Sequence, residues 1–285
     1  MDDRVTIYEV GPRDGLQNEP RPIPTPRKIA LVDMLSDCGF GHIEVASFVN
    51  PKLVPQMADG AAVLAGIARR PGVSYAALTP NLKGYAAARA ARADEVAIFA
   101  SASEGFSRKN INCSIAESLT RFAPVAEAAA ADGISLRGYV SCVTDCPFDG
   151  AISPQSVAMV TDRLFALGCR EVSLGDTIGH GTPDSVERML REVLRTAPAD
   201  RLAGHFHDTL GRAIENIEVA LGLGIRVFDA AAGGLGGCPF APGAAGNVAT
   251  ERVVARLEEL GFATGIDAGR LAGAAAFARA LRAPA

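Results

Sequence analysis

Leu202-Ala203-Gly204-His205-Phe206-His207-Asp208 reads as a β-strand that carries two imidazoles on one face. Side chains at i and i+2 of a strand project together, so His205 and His207 can share one ligand. A metal ion is the simplest such ligand, because neutral imidazole is a ready lone-pair donor to metals. The plainer alternative is one structural histidine beside a surface neighbour, and an H-x-H spacing alone does not separate the two. What surrounds the pair favours the metal.

Seven other short apolar runs accompany this one along the chain. With it they span 5–10, 42–48, 74–78, 95–100, 135–141, 171–174, 202–208 and 227–231, and their starts lie 21 to 40 residues apart. A helical pattern follows each. Strands alternating with helices form βα units around a parallel sheet. Eight units in 285 residues predict an α/β fold of the (β/α)8 TIM-barrel type, which typically takes ~250 residues. A doubly wound open sheet is the alternative, but the first strand is not followed by the nucleotide-binding glycine fingerprint of that fold. Val186, Met189, Leu190, Val193 and Leu194 fall at i, i+3, i+4, i+7 and i+8, a one-faced helical stripe. Thr25-Pro26, Ser153-Pro154 and Thr182-Pro183 each set a capping side chain before a first-turn proline. Ser114 and Glu117 have capping-box spacing. An additional Ala-rich C-terminal helix, 268–281, is expected outside the barrel or against a partner subunit. No linker interrupts the pattern, so residues 1–285 are expected to form a single catalytic domain.

Composition narrows the function. The net charge is −4 and the pI about 5.6, without the basic stripe of a nucleic-acid binder. No apolar stretch approaches the ~20 residues of a membrane helix. Met1-Asp2-Asp3-Arg4 runs straight into a strand and resembles neither a secretory signal nor a transit peptide, so the expected compartment is cytoplasmic. Six cysteines are scattered at 38, 113, 142, 146, 169 and 238. They read as free thiols rather than a disulfide framework. Cys142-x-x-x-Cys146 has no second pair to complete a zinc site.

In a barrel the chemistry is built at the C-terminal ends of the strands, and polar residues gather there. Gly11-Pro12-Arg13-Asp14-Gly15 follows strand one and Glu44 lies on strand two. Strand six ends in Gly175-Asp176-Thr177. A glycine-rich stretch, Gly233-Gly234-Leu235-Gly236-Gly237-Cys238, follows strand eight, with Asn247 beyond it. Asp14, His205, His207 and Asn247 offer carboxylate, imidazole and amide donors. This mixed O/N set suits a six-coordinate Mg2+ or Mn2+ with open positions, although zinc, cobalt or iron would also bind it. Taken alone, Asn247 reads as a helix cap and Asp14 as a turn residue. Arg13 suggests an anion or enolate to be neutralised, since its fork suits carboxylate or carbonyl oxygens and its charge is permanent. Glu44 and Asp176 could orient Arg13 or the ligands, or accept a proton; orientation fits Glu44 better. The glycines read as a mobile flap or as a rigid turn. On a flap, Cys238 could be carried over the metal to exchange a proton.

With these residues in view, the chain resembles the 3-hydroxy-3-methylglutaryl-CoA lyase family of the DRE-TIM metallolyases. The matching motifs include Glu9-Val-Gly-Pro-Arg-Asp-Gly-Leu-Gln-Asn-Glu19, Lys109-Asn-Ile-Asn-Cys-Ser114, Ser173-Leu-Gly-Asp-Thr-Ile-Gly179, His205-Phe-His-Asp-Thr209 and Gly234-Leu-Gly-Gly-Cys-Pro239. The resemblance implies a divalent metal held by Asp14, His205, His207 and Asn247, an essential Arg13, active-site acids Glu44 and Asp176, and the flap thiol of Cys238. It places Arg137, Tyr139 and Ser173 at or near the site. It implies an acyl-CoA substrate, with Lys83, Arg108, Lys109 and Asn110 in the loops where CoA would lie, and a homodimer. The implied reaction is cleavage of 3-hydroxy-3-methylglutaryl-CoA to acetyl-CoA and acetoacetate. In it Asp176 is the first candidate base, Arg13 stabilises the enolate, and Cys238 or His205 returns the proton. Ala230, Ala231, Phe240 and Pro20 depart from residues common in the family. A longer-chain 3-hydroxyglutaryl-CoA lyase, another aldolase or synthase of the superfamily, and a non-catalytic barrel are the alternatives.

Overall fold

A computed structural model describes residues 4–238 and 241–282, with side chains given outside 237–245. Eight parallel strands close into a barrel: β1 (Thr6–Glu9), β2 (His42–Ser47), β3 (Ser74–Leu78), β4 (Glu95–Ser101), β5 (Ser135–Ser141), β6 (Glu171–Asp176), β7 (Leu202–Phe206) and β8 (Val227–Ala230). Each pairs with its sequence neighbours, and β8 pairs with β1 to complete the ring. This is the expected (β/α)8 architecture, and closure rules out the open-sheet alternative.

The outer layer is α1 (Thr25–Ser36), α2 (Gly60–Gly66), α3 (Leu82–Ala90), α4 (Glu104–Ile111), α5 (Ile115–Asp132), α6 (Pro154–Ala166), α7 (Pro183–Val193), α8 (Ala213–Gly222), α9 (Thr250–Glu259) and α10 (Ala268–Arg282). The α7 stripe behaves as its spacing requires, with Val186, Met189, Leu190 and Val193 all buried. Ser114, Ser153 and Thr182 cap α5, α6 and α7 through their side chains. Thr25 does not cap. It is already helical, and its hydroxyl donates to Asp59 at 2.7 Å, tying α1 to the loop before α2. The C-terminal helix docks on its own chain: α10 packs on α1, on α9 and on the glycine turn Ala232–Gly234, burying Leu271, Ala274, Ala275 and Ala278.

Strand ends shift by one or two residues from their sequence reading. Two shifts touch the site. Strand β6 runs on to Asp176, and β7 stops at Phe206, so His207 lies just past the last regular strand residue. It keeps a single antiparallel bridge to Asn247. Among the described residues, no helix is long and apolar enough to cross a membrane.

A barrel interior is ordinarily filled by branched apolar side chains. Here much of it is ionic. Tyr8, Glu95, Arg137, Glu171, Ser173 and Asp229 are all buried within it. At the mouth, Glu9 stitches β1 to the loop after β8. It accepts hydrogen bonds from the backbone N–H of Gly11 and of Ala232 (both 2.9 Å) and from the Thr250 hydroxyl (2.7 Å). Burial outweighs these donors and pushes its carboxyl from 4.5 up to about 7. The folded state therefore favours the protonated acid. Its stabilising contribution is full below pH 4.5 and is lost as pH rises through 7, on the order of 3 kcal/mol in all. Glu9→Gln keeps one oxygen to accept from the Gly11 and Ala232 N–H groups, reverses the Thr250 contact so that the amide donates to the hydroxyl, and removes this titration. Calorimetry from pH 5 to 8 should show the variant gaining on the parent protein as pH rises; a constant difference in Tm would refute the ionic account.

Candidate active site and metal centre

The turn Gly11–Gly15 supplies the first site residues. The N–H groups of Arg13, Asp14 and Gly15 all point at the Val10 carbonyl (3.2, 2.8 and 3.2 Å). This tight coil turns Arg13 and Asp14 back over the barrel mouth. Gly15 cannot carry a side chain here, since a Cβ would sit 2.7 Å from that of Leu235.

Asp14, His205 and His207 converge, each offering a donor atom within 4.8 Å of the others. The two imidazole rings lie 5.2 Å apart, tilted by 47°. The pair therefore faces one point although His207 has left the regular strand. Asn247 joins them rather than capping α9, whose cap position is Ala249. Its Nδ2 donates to Asp14 Oδ2 (2.9 Å) and to the Leu235 carbonyl (3.2 Å). Sequence positions 14, 205, 207 and 247 thus meet.

The donor group fits a cation. His207 Nδ1 is buried with no hydrogen-bond partner, a vacancy that costs about 1–3 kcal/mol unless something takes its lone pair. Burial, then His205, pull the His207 ring down to about 4, so it stays neutral and able to ligate. Burial alone would raise Asp14, but Arg13 and the two histidines outweigh it and hold the carboxyl at about 2.

Arg13 is almost fully buried and multiply tethered. Its Nε and Nη2 grip Glu44 Oε2 (2.6 and 2.5 Å), and Nη1 reaches Asp14 Oδ1 (2.6 Å). The guanidinium lies over the Tyr139 ring, 5.5 Å from its centroid. Glu44 is completely buried and absent from the cavity lining; it orients Arg13, as its place on β2 suggests.

Asp176 is different. In β6, Gly175 pairs with His205, so Asp176 is one residue out of phase and faces the opposite side of the sheet. Its oxygens accept from the Thr144 hydroxyl (3.0 Å) and the Gly181 N–H (2.9 Å). It braces the loop after β6 and does not line the cavity, where its reading as the first candidate base would place it.

A cavity of about 1000 Å³ opens above the donor group. Arg13, Asp14, Tyr139, His205 and His207 lie on its lining. Lys109 and Asn110, at the end of α4, form part of one wall, with Asn112 and Arg121 beside them. Lys83 and Arg108 do not reach it. Lys83 is exposed on α3, and Arg108 sits 3.8 Å from Glu104 on its own helix. The rest of the lining mixes apolar side chains, among them Leu53, Leu82, Phe99 and Phe106, with the amides of Gln17, Asn18, Asn50 and Asn81. Cys238 belongs to the short strand Gly237–Cys238, which pairs antiparallel with Ala241–Ala245; its side chain lies outside the described residues, as does Phe240.

The model of one family, described as HMGL-like, matches residues 4–277. The chain belongs to the HMGL-like family. It is 57% identical over 274 residues to the mitochondrial hydroxymethylglutaryl-CoA lyase of Bos taurus, covering 96% of this chain and 84% of that one. The crystal structure of the HMG-CoA lyase from Brucella melitensis superposes with a TM-score of 0.97 at 62% identity, over 98% of this chain and 99% of that one. An HMG-CoA lyase from Acinetobacter baumannii, in complex with coenzyme A and 3-methylmalate, superposes with a TM-score of 0.93 at 40% identity, over 98% and 92%. HMGL-like proteins are metal-dependent, in keeping with the donor group at this mouth.

One site residue escapes the sequence. Asp229 is buried on β8, where it accepts from Ser173 Oγ (2.7 Å) and Arg137 Nη2 (2.7 Å) and lies 3.1 Å from His205 Nδ1. Its signal is slight: one carboxylate in an otherwise apolar run, in register with His205.

Proposed function

We propose that this chain is a metal-dependent carbon–carbon lyase that cleaves 3-hydroxy-3-methylglutaryl-CoA to acetyl-CoA and acetoacetate. One observation carries the reading within this family: Arg13 lies against the Asp14–His205–His207 donor group, on the lining of a cavity of acyl-CoA size. Asp14, His205 and His207 would hold the ion, with Asn247 tied to them by its amide. Carboxylate, imidazole and amide donors suit Mg2+ or Mn2+. A bound divalent ion supplies Lewis-acid polarisation of the substrate oxygens.

The chain's own residues do the rest. Breaking the bond between C2 and C3 leaves negative charge on the thioester oxygen of the acetyl-CoA enolate. Arg13 is fixed by Glu44 before the reaction begins, so its donors meet that charge without reorganising. Glu44 holds Arg13 through one oxygen and neither it nor Asp176 lines the cavity, so the hydroxyl proton is assigned to Cys238 as its thiolate, which then returns it to C2 as the bond breaks. Cys238, on the hairpin after the glycine turn, is the candidate donor to C2. Leu78, Phe99 and Phe106 give the cavity apolar surface for the acyl chain, and Lys109 with Arg121 offers positive charge to the CoA phosphates.

Acetoacetate release from 3-hydroxy-3-methylglutaryl-CoA tests the reading directly. Turnover should need Mg2+ or Mn2+, vanish in excess chelator and return when the metal is restored. A metal-loaded protein that turns over no member of an acyl-CoA panel would leave only a binding role.

A further inference from the structure

The interior of the barrel holds a charged unit that the reaction above does not use. Arg137 is completely buried on β5. Every face of its guanidinium is engaged: Nε with Glu171 (2.8 Å), Nη1 with the Tyr139 hydroxyl (2.8 Å), and Nη2 with Asp229 (2.7 Å). The Tyr8 ring covers it at 3.9 Å. An arginine cannot give up its proton in a protein, so the pair it makes with Asp229 is a permanent one. Asp229 has no donor of its own. Its neighbours Arg137 and Ser173 are donors, and its Oδ2 also meets Nδ1 of His205 at 3.1 Å.

A neutral imidazole carries one N–H and one lone pair. Facing an ionised, acceptor-only carboxylate, the proton must sit on Nδ1. Nε2 then holds the lone pair, and it is the only ring atom left to serve the Asp14–His205–His207 group. Neutralising Arg137 does not require this contact, because Glu171 already pairs with it. The reach of Asp229 beyond Arg137 to the histidine is what calls for a role.

We propose that Asp229, clamped by Arg137 and Ser173, is the positioning residue that locks His205 in its Nδ1–H form and aims Nε2 at the cation site. The same guanidinium holds Tyr139, whose ring lies under Arg13. One buried arginine thereby orders both a metal-facing imidazole and the platform of the enolate-binding arginine. Carboxylates that hydrogen-bond a ligating histidine raise its basicity and fix its ring, and losing one costs about 10- to 100-fold in metal affinity.

This inference rests on His205 being a metal ligand, and the test separates the two. Mn2+ affinity is measured by electron paramagnetic resonance on the full-length protein, without substrate, for the parent chain, His205→Ala and Asp229→Asn. His205→Ala should abolish tight binding, and Asp229→Asn should weaken it about 10- to 100-fold. Unchanged affinity in His205→Ala overturns the metal-site reading itself. Weakened binding in His205→Ala with Asp229→Asn within twofold of the parent overturns the positioning role alone. A second measurement does not depend on any variant folding. In the metal-free parent protein with 15N-labelled histidine, two-bond proton–nitrogen correlations report which ring nitrogen of His205 is protonated. Nδ1–H supports the proposal, and Nε2–H in the neutral ring overturns it.

Discussion

Arg13→Lys should lower kcat about 100- to 1,000-fold and leave KM for the acyl-CoA nearly unchanged. The expectation follows from what the side chain does when no substrate is present. Two of its nitrogens grip one oxygen of Glu44 and a third meets Asp14. A planar fork can make these bonds and still lie flat on Tyr139; an ammonium cannot. Lysine would keep the positive charge but lose the fixed direction. Charge that develops only as the C2–C3 bond breaks would then be met by a group that must first reorganise. Binding of the CoA portion, set by the distant walls of the cavity, should be little affected. Steady-state kinetics at saturating metal decides the matter. A kcat within a few-fold of the parent would remove Arg13 from the bond-breaking step, whereas a raised KM at constant kcat would make it a ground-state contact.

Arg13, Glu44 and the histidine pair were legible because each is a polar residue where a strand pattern ends or is interrupted. Periodicity alone places such residues at one mouth of a barrel. Strand register is what periodicity does not carry. Asp176 reads as an active-site acid from its position after β6, yet one step of phase turns it to the outer layer, where Thr144 and Gly181 hold it. Asp229 suffers the converse. Alone on β8 it is one carboxylate among apolar neighbours, and its meaning comes from standing beside His205 on the adjacent strand. The loop residues divide for a related reason. Lys109 and Asn110 lie at the C-terminal end of α4, which faces the cavity, while Arg108 spends its charge on Glu104 and Lys83 points to solvent. Helix direction and rotation in the outer layer depend on packing, which the linear pattern constrains only loosely. Thr25 has the composition of a cap, but tertiary contact with Asp59 claims its hydroxyl.

Arg137→Met should be the most destabilising single change within the barrel, at about 3–5 kcal/mol. Methionine fills nearly the same length and is tolerated in apolar cores, so packing alone would predict a mild effect. The loss comes from what is left behind. Glu171 and Asp229 both lean on the one guanidinium at 2.8 and 2.7 Å, and the side chains of Arg137 and Asp229 are inaccessible to water. Arg137 also holds the Asp229 carboxyl far below the usual carboxylate range, against the burial that would raise it. Without the arginine, two buried carboxylates must either stay charged without a counterion or take up protons on folding. Removing one partner of a buried ion pair is therefore far costlier than never having had the pair. Urea denaturation of both proteins near neutral pH measures the difference. If protonation is the escape, the variant should recover part of its deficit as pH falls toward 5, because the unfolded carboxylates then release less free energy by ionising. A loss under about 1 kcal/mol at pH 7 would mean that Ser173, Tyr139 and His205 suffice to hold the carboxylates, and that the arginine is not what keeps the barrel interior ionic.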